Sequence, residues 1–468
     1  MFMKREYLLL IIVTCISGCL QTRVPQWSTP GLIESAGNRE LADRLRLQVF
    51  EELKQRELDP NQYQRLGEVF STVVGSPLHS PLIRQDVIQI ISTDYRNQAS
   101  EWLGRALLNS SESEIRSGII EALIKLQDRK SVPYLIITLD RAEKNDYADA
   151  LAMGEALETL TSEPLERILW KELNEGDRIK SRMAALDCLQ RRMKPDSLCA
   201  QLKVLPGSDP FLQELQFWAD RFAYIPSNQM RFFLCQLLHN SLTAEQINLL
   251  QRRVSQLAER EGYRFDIRDT YVLLSIDNRV LDKSCEELKS KIAPRLSRLD
   301  HTKRPASYGG ARDDYKETFI DQCNRLSYID LLKIDLLLCS LDKAVISRQI
   351  KEFLKQDLTD IATEIGGLCF IIASDSIIFK KYQPGEVLGD NQYVESEHML
   401  LEGALCLARW HCHIDSWLSK ELAGPGSDDL RYAAWVNCPV VIFTCLGEDL
   451  FNADYLTPEG VVIDLGNY

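Results

Sequence analysis

The sequence predicts a multidomain chain in which an α-solenoid forms the amino-terminal region and an α/β sandwich the carboxyl-terminal domain. Three observations predict it. From about Leu41 to Arg192 apolar residues recur at intervals of three and four, the period of amphipathic helices. Short stretches within that region repeat about 30 residues apart, the sign of stacked helix pairs. Beyond Gly366 the pattern changes to short apolar runs punctuated by glycine and proline, the pattern of strands mixed with helices.

Residues 1–18 read as a signal peptide, in which Lys4 and Arg5 precede the apolar run Leu8 to Ile16. That run falls short of the roughly 20 residues a membrane-spanning helix needs. It ends in Ile16-Ser17-Gly18-Cys19, which resembles the bacterial lipobox. The resemblance implies lipidation of Cys19, cleavage before it and a lipid-anchored protein of the bacterial cell envelope, with inner or outer membrane left open. Residues 19–40 hold two prolines and two glycines without a sustained period and read as a tether. The whole chain has 55 Lys and Arg against 68 Asp and Glu, a formal charge of −13. Cleavage removes a net +1 with Lys4, Arg5 and Glu6, so residues 19–468 carry −14. No basic stripe is available to displace counterions from a phosphate backbone, which argues against a nucleic-acid partner.

In residues 41–206 the pair Ile83-Arg84 returns as Ile115-Arg116, and Glu121-Ala122-Leu123 returns as Glu155-Ala156-Leu157 and, loosely, Ala184-Ala185-Leu186. The clearest unit runs from Ser111 to Leu139. Ser111 or Ser113 is placed to cap a helix, Ile115, Ile119, Leu123 and Leu126 form its buried stripe, and Val132-Pro133 opens a second helix. This unit resembles the short HEAT-type repeats of bacterial proteins. The resemblance implies a surface that binds a partner or a spacer that holds another domain off the membrane. Residues 207–300 stay helical, with Phe211, Phe217, Trp218, Phe222, Tyr224, Phe232 and Phe233 as a core cluster. Residues 301–315 mix charge with Pro305 and Gly309-Gly310 and read as a linker.

In residues 316–468 two helices, about Lys316 to Asn324 and Tyr328 to Lys355, precede two strands around a polar turn from Gly366 to Phe379. After a loop, Ser396 to Ala408 reads as helix, Trp410 to Ile414 as strand, Gly424-Pro425-Gly426 as a turn and Asp429 to Trp435 as a helix start. Pro439 to Cys445 and Gly460 to Leu465 read as further strands. His398, beside Glu395 and Glu397, falls on an exposed helix face. Eleven cysteines follow Cys19 without any Cys-x-x-Cys pair and read as small buried hydrophobes. Cys438 and Cys445 flank one short apolar strand, a pair that an exported chain could oxidise.

The chemistry centres on His411-Cys412-His413, with Glu364 placed 47 residues before His411 and Asp429 16 residues after His413. On a strand, residues i and i+2 share a face, so both imidazoles can meet one ion while Cys412 enters the core. Two imidazoles and a carboxylate make a zinc site with a position left for water, and a second carboxylate can serve as base. The segments Glu364-Ile365-Gly366-Gly367-Leu368, His411-Cys412-His413 and Pro425-Gly426-Ser427-Asp428-Asp429 resemble the JAMM (MPN-type) metallopeptidase family over residues 355–468. The resemblance implies a Zn2+ cofactor held by His411, His413 and Asp429, Glu364 as proton carrier, and hydrolysis of a peptide or isopeptide bond in a protein or peptide substrate. Two departures stand out. The His413–Asp429 gap is longer than the family's, an insertion at Asp415 to Leu422 that a surface loop tolerates. Gly426 stands where the family has an oxyanion-stabilising serine, with Ser427 next to it as a substitute. Asp428 competes with Asp429 as ligand. The alternative function is a non-catalytic lipoprotein adaptor that binds partners through its helical repeats. An amidohydrolase barrel is excluded, since 55 residues after His413 cannot complete a barrel of about 250.

Overall fold

The computed structural model describes residues 24–206, 209–301, 317–360, 363–373, 376–386, 393–414 and 424–468. The signal peptide, Cys19, almost all of the linker at 301–315 and the insertion at 415–422 lie outside the described residues. The amino-terminal region is mostly helical and the carboxyl-terminal region carries a six-stranded mixed sheet. One compact unit takes the described residues up to Phe217 with Ile225–Phe232, and a second takes Trp218–Tyr224 with Phe233–Tyr468.

In the first unit helices up to Asn145 pack on the neighbour once removed, Pro60–Gly75 on Arg96–Asn109, Pro81–Asp94 on Ser113–Leu126 and Arg96–Asn109 on Val132–Asn145, and further on Val132–Asn145 packs on Tyr147–Thr161 and Leu165–Glu175 on Ile179–Arg192. Asp59 forms a capping box with Gln62 and Ser80 caps the helix from Pro81, each with proline in the first turn where the missing N–H costs nothing. Ser113 does not cap its helix. It is the first helical residue, and the side-chain cap of this unit comes from Asp128 on the short turn Arg129–Ser131. Ile120 joins the buried stripe of Ile115, Ile119 and Leu123, while Leu126 is half-buried.

The recurring Ile-Arg pair has a physical reason. Arg84 is fully buried, its Nε donates to Val74 O at 2.8 Å, and its Nη1 meets Glu112 at 2.8 Å. Arg116 likewise donates to Ser110 O at 3.3 Å and pairs with Asp149. Arg46 donates to Ala36 O at 2.9 and 3.2 Å, and Arg182 to Leu173 O at 2.8 Å. Each guanidinium satisfies a carbonyl at the end of the preceding helix, where acceptors lack intrahelical partners and the helix dipole favours positive charge. One of these carbonyls belongs to Thr29–Gly37, a helix capped by Ser28 that buries Leu32, Ile33 and Ala36. Thr29–Gly37, within the segment whose composition reads as a tether, is therefore packed helix.

In the second unit the sheet order is β2-β1-β3-β4-β5-β6, with β1 Gly366–Ala373, β2 Ser376–Tyr382, β3 Ala408–His413, β4 Val440–Gly447, β5 Leu450–Leu456 and β6 Val462–Asn467. Only β3 and β4 run parallel; the other pairs are antiparallel. β4 is buried from Val440 to Leu446, the signature of a strand covered on both faces. Helix Ala344–Asp357 lies on β3 and β4, and Phe353 stacks on Trp410 at 4.9 Å between ring centroids. The helix expected from Tyr328 to Lys355 is two helices, Tyr328–Leu341 and Ala344–Asp357, broken at Asp342-Lys343. The helix expected at Ser396 to Ala408 is the shorter Glu397–Glu402, followed by the turn Gly403–Leu405 and then β3. Of the aromatic cluster, Phe211, Trp218, Phe222, Tyr224 and Phe232 are buried, whereas Phe233 is exposed.

Candidate metal centre

β3 presents both imidazoles. His411 and His413 share one face, with their Nε2 atoms 3.1 Å apart, and Cys412 points to the opposite face and is fully buried. β1 pairs antiparallel with β3, Gly366 opposite His411, and Cys412 N–H donates to Ile365 O at 2.8 Å. That bond extends the pairing past the strand end and brings Glu364 alongside His413. Glu364, His411 and His413 offer ligand atoms that all lie within 4.8 Å of one another, a group able to hold a metal ion.

Asp429 arrives from the other side, in the first turn of helix Ser427–Val436. Its Oδ1 lies 3.1 Å from His411 Nε2 and its Oδ2 3.6 Å from His413 Nε2. Donors about 2.0–2.1 Å from one tetrahedral ion sit about 3.3–3.4 Å from each other. The two separations of 3.1 Å lie near that value, whereas the 3.6 Å to His413 is made by the other oxygen of the Asp429 carboxylate; Glu364, His411 and His413 are the group close enough to share an ion, with Asp429 in contact with both imidazoles.

The surrounding groups fix these side chains. His413 Nδ1 is 3.1 Å from Gly424 O; a carbonyl only accepts, so Nδ1 carries the proton and Nε2 of the neutral ring keeps its lone pair for an ion. Gly424 N–H donates in turn to Thr444 Oγ1 of β4 at 3.0 Å, and its φ of 92° is a conformation that glycine alone adopts cheaply. Gly426 N–H donates to Asp429 Oδ2 at 2.6 Å and holds the carboxylate. Asp357, fully buried at the end of helix Ala344–Asp357, accepts the Ile365 N–H at 2.6 Å and so fixes the backbone next to Glu364. In sequence, Asp357 looks like a solvated helix-end charge, and nothing in its neighbours signals this role.

Burial alone lowers the pKa of His411, but Asp429, Glu364 and Asp357 outweigh it and raise the net value. Burial pushes Asp429 up, yet His411, His413 and the Gly426 N–H hold it well below the usual carboxylate range. The carboxylates around His411 thus favour positive charge at this point, which a protonated imidazole supplies and a bound cation would supply in its place.

The remaining sequence candidates fall elsewhere. Asp428 is exposed and pairs with Arg431, which takes it out of competition with Asp429. Ser427 is exposed at the first position of its helix. His398 is exposed and meets Glu402 at 3.1 Å, while Glu395 is not on an exposed face but buried against Arg409 and Tyr432. No protein-family model, curated protein or solved structure matches this chain.

Proposed function

We propose that the carboxyl-terminal domain is a zinc-dependent hydrolase of amide bonds, a peptidase or isopeptidase of JAMM type, exported behind a lipid anchor at Cys19. The observation that carries this reading is the convergence, from three segments distant in sequence, of Glu364, His411 and His413 within 4.8 Å of one another with Asp429 Oδ1 3.1 Å from His411 Nε2. His411, His413 and Asp429 would hold the ion. A bound divalent cation supplies Lewis acidity toward water and toward the scissile carbonyl. Glu364, held by the pairing of its neighbour Ile365, is the group that takes the proton of the attacking water and returns it to the leaving amine. The stacked helices of the amino-terminal region, read as HEAT-like repeats, would supply a surface that recruits a protein substrate.

A second reading is favoured by Gly426 and the exposed Ser427: the site binds metal, but the chain acts as an adaptor. One experiment separates the two. Residues 19–468, loaded with zinc and incubated with peptide and isopeptide libraries, should show cleavage that Glu364→Gln abolishes while the zinc stays bound. Zinc near one per chain without any Glu364-dependent cleavage supports the adaptor.

A further inference from the structure

The second unit holds another cluster of reactive groups, away from the His411–His413 face and at the opposite end of β3. Cys406 precedes β3 and Cys438 precedes β4, and because these strands are parallel neighbours both cysteines lie at the same edge of the sheet. Their sulfurs are 3.7 Å apart. Both line a cavity of about 500 Å³ whose wall also carries Arg268, Lys333, Asp269 and Tyr328. Lys333 is buried and Arg268 half-buried, and Lys333 Nζ meets Asp269 at 3.1 Å.

We propose that Cys406 and Cys438 form a redox-active dithiol whose substrate is a small disulfide entering this cavity. Both cysteines are buried in a cluster with Leu368, Tyr382 and Met399, and the cavity they line is the route by which a small disulfide would reach them; cations near one thiol favour its thiolate. A hydrogen bond with Cys406, followed by Arg409, Arg268 and Lys333, pulls Cys438 below its ordinary value against the effect of burial, while Cys406 is pushed well up. Cys438 is accordingly the attacking sulfur and Cys406 the resolving one.

The exchange proceeds in two displacements. The Cys438 thiolate attacks one sulfur of the small disulfide; the disulfide bond breaks, one small thiolate leaves, and a mixed disulfide on Cys438 forms. Cys406 gives its proton to a departing small thiolate and its sulfur attacks Cys438, breaking the mixed disulfide and closing the Cys406–Cys438 bond. Two electrons pass from the protein dithiol to the small disulfide, which ends as one thiol and one thiolate, the latter taking from solvent the proton that Cys438 released on forming its thiolate. By contrast Cys438 and Cys445, closer in sequence, lie toward opposite ends of an extended strand.

The test uses reduced residues 19–468 incubated with oxidised glutathione, quenched with an alkylating agent and mapped by peptide mass spectrometry. The proposal expects a Cys406–Cys438 linkage before any other pair, and in Cys406→Ser a glutathione adduct trapped on Cys438. It also expects Cys438 in the reduced wild-type chain to alkylate at least tenfold faster near pH 6.5 than Cys412, which is as buried but is acted on more by the carboxylates of Asp357 and Glu364 than by the cation Lys381. The proposal is overturned if both thiols of the folded wild-type chain stay free after oxidation, or if Cys438 alkylates no faster than Cys412. The wild-type measurements decide the matter even where a variant fails to fold.

Discussion

Replacing Gly426 with serine puts a hydroxyl where the JAMM-type pattern carries one, and the structure says that the change fits. The Gly426 backbone is extended, with φ −84° and ψ −178°, a conformation open to any residue. A Cβ built there meets only Asp429 Oδ2, at 3.6 Å, an ordinary contact. Gly426 is also the residue that caps helix Ser427–Val436, a position where serine exceeds glycine by a few tenths of a kcal/mol. Folding is therefore expected to be unchanged or slightly improved. A hydroxyl that donates to the developing oxyanion lowers the barrier by about 2.7–4 kcal/mol, roughly 10²- to 10³-fold in kcat. The assay is steady-state hydrolysis of a peptide or isopeptide substrate by zinc-loaded residues 19–468, with kcat and KM measured separately. The gain should fall on kcat and vanish in the Glu364→Gln, Gly426→Ser double variant. A serine variant that folds and binds zinc like the wild type yet is no faster refutes the reasoning, as does a gain that survives the loss of Glu364.

Three further outcomes follow from the same geometry. Glu364→Gln keeps the shape beside His413 and should lower turnover about 10²- to 10⁴-fold with zinc content unchanged, measured by metal analysis alongside kinetics. Arg84→Ala leaves Val74 O without its buried donor and should destabilise the first unit by about 1–3 kcal/mol in urea denaturation, with Arg84→Lys unable to restore both contacts. His301 Nδ1 meets Asp464 at 3.0 Å, and this hydrogen bond, opposed by partial burial and helped by Leu296 O, raises its pKa to about 9. A raised folded-state value means the stabilisation is complete below about pH 6.5 and lost as pH rises toward 9. Because His301 is partly exposed, the loss should be about 1 kcal/mol after solvent screening. Chemical denaturation at pH 6 and 9 should show it in the wild type and not in His301→Asn.

The parts of the site that sit on regular elements were legible in the residues themselves. The alternation around His411 and His413 fits a strand, and the glycine-proline turn before Asp429 fits a helix start; the structure places both there. What escaped depends on partners far away in sequence. β5 carries Asn452 and Asp454, which argue against a strand, yet Asn452 is buried on Asp464 of β6 at 2.9 Å. Glu395 looks solvated until Arg409, 14 residues on, closes over it. Cys438 and Cys445 are neighbours in sequence, but seven extended residues span about 23 Å, whereas a disulfide needs Cα atoms about 5.5 Å apart. Only the parallel alignment of β3 and β4 reveals Cys406 as the nearer sulfur.

Zinc content tests the central claim most directly. Residues 19–468, purified, dialysed against trace zinc and measured by atomic emission, should hold one zinc per chain. His411→Ala, His413→Ala and Asp429→Ala should each lose most of it while keeping the wild-type circular dichroism. Zinc content that stays at the wild-type level in His411→Ala would contradict the account, because the shell built on β3 would then not be where the metal binds.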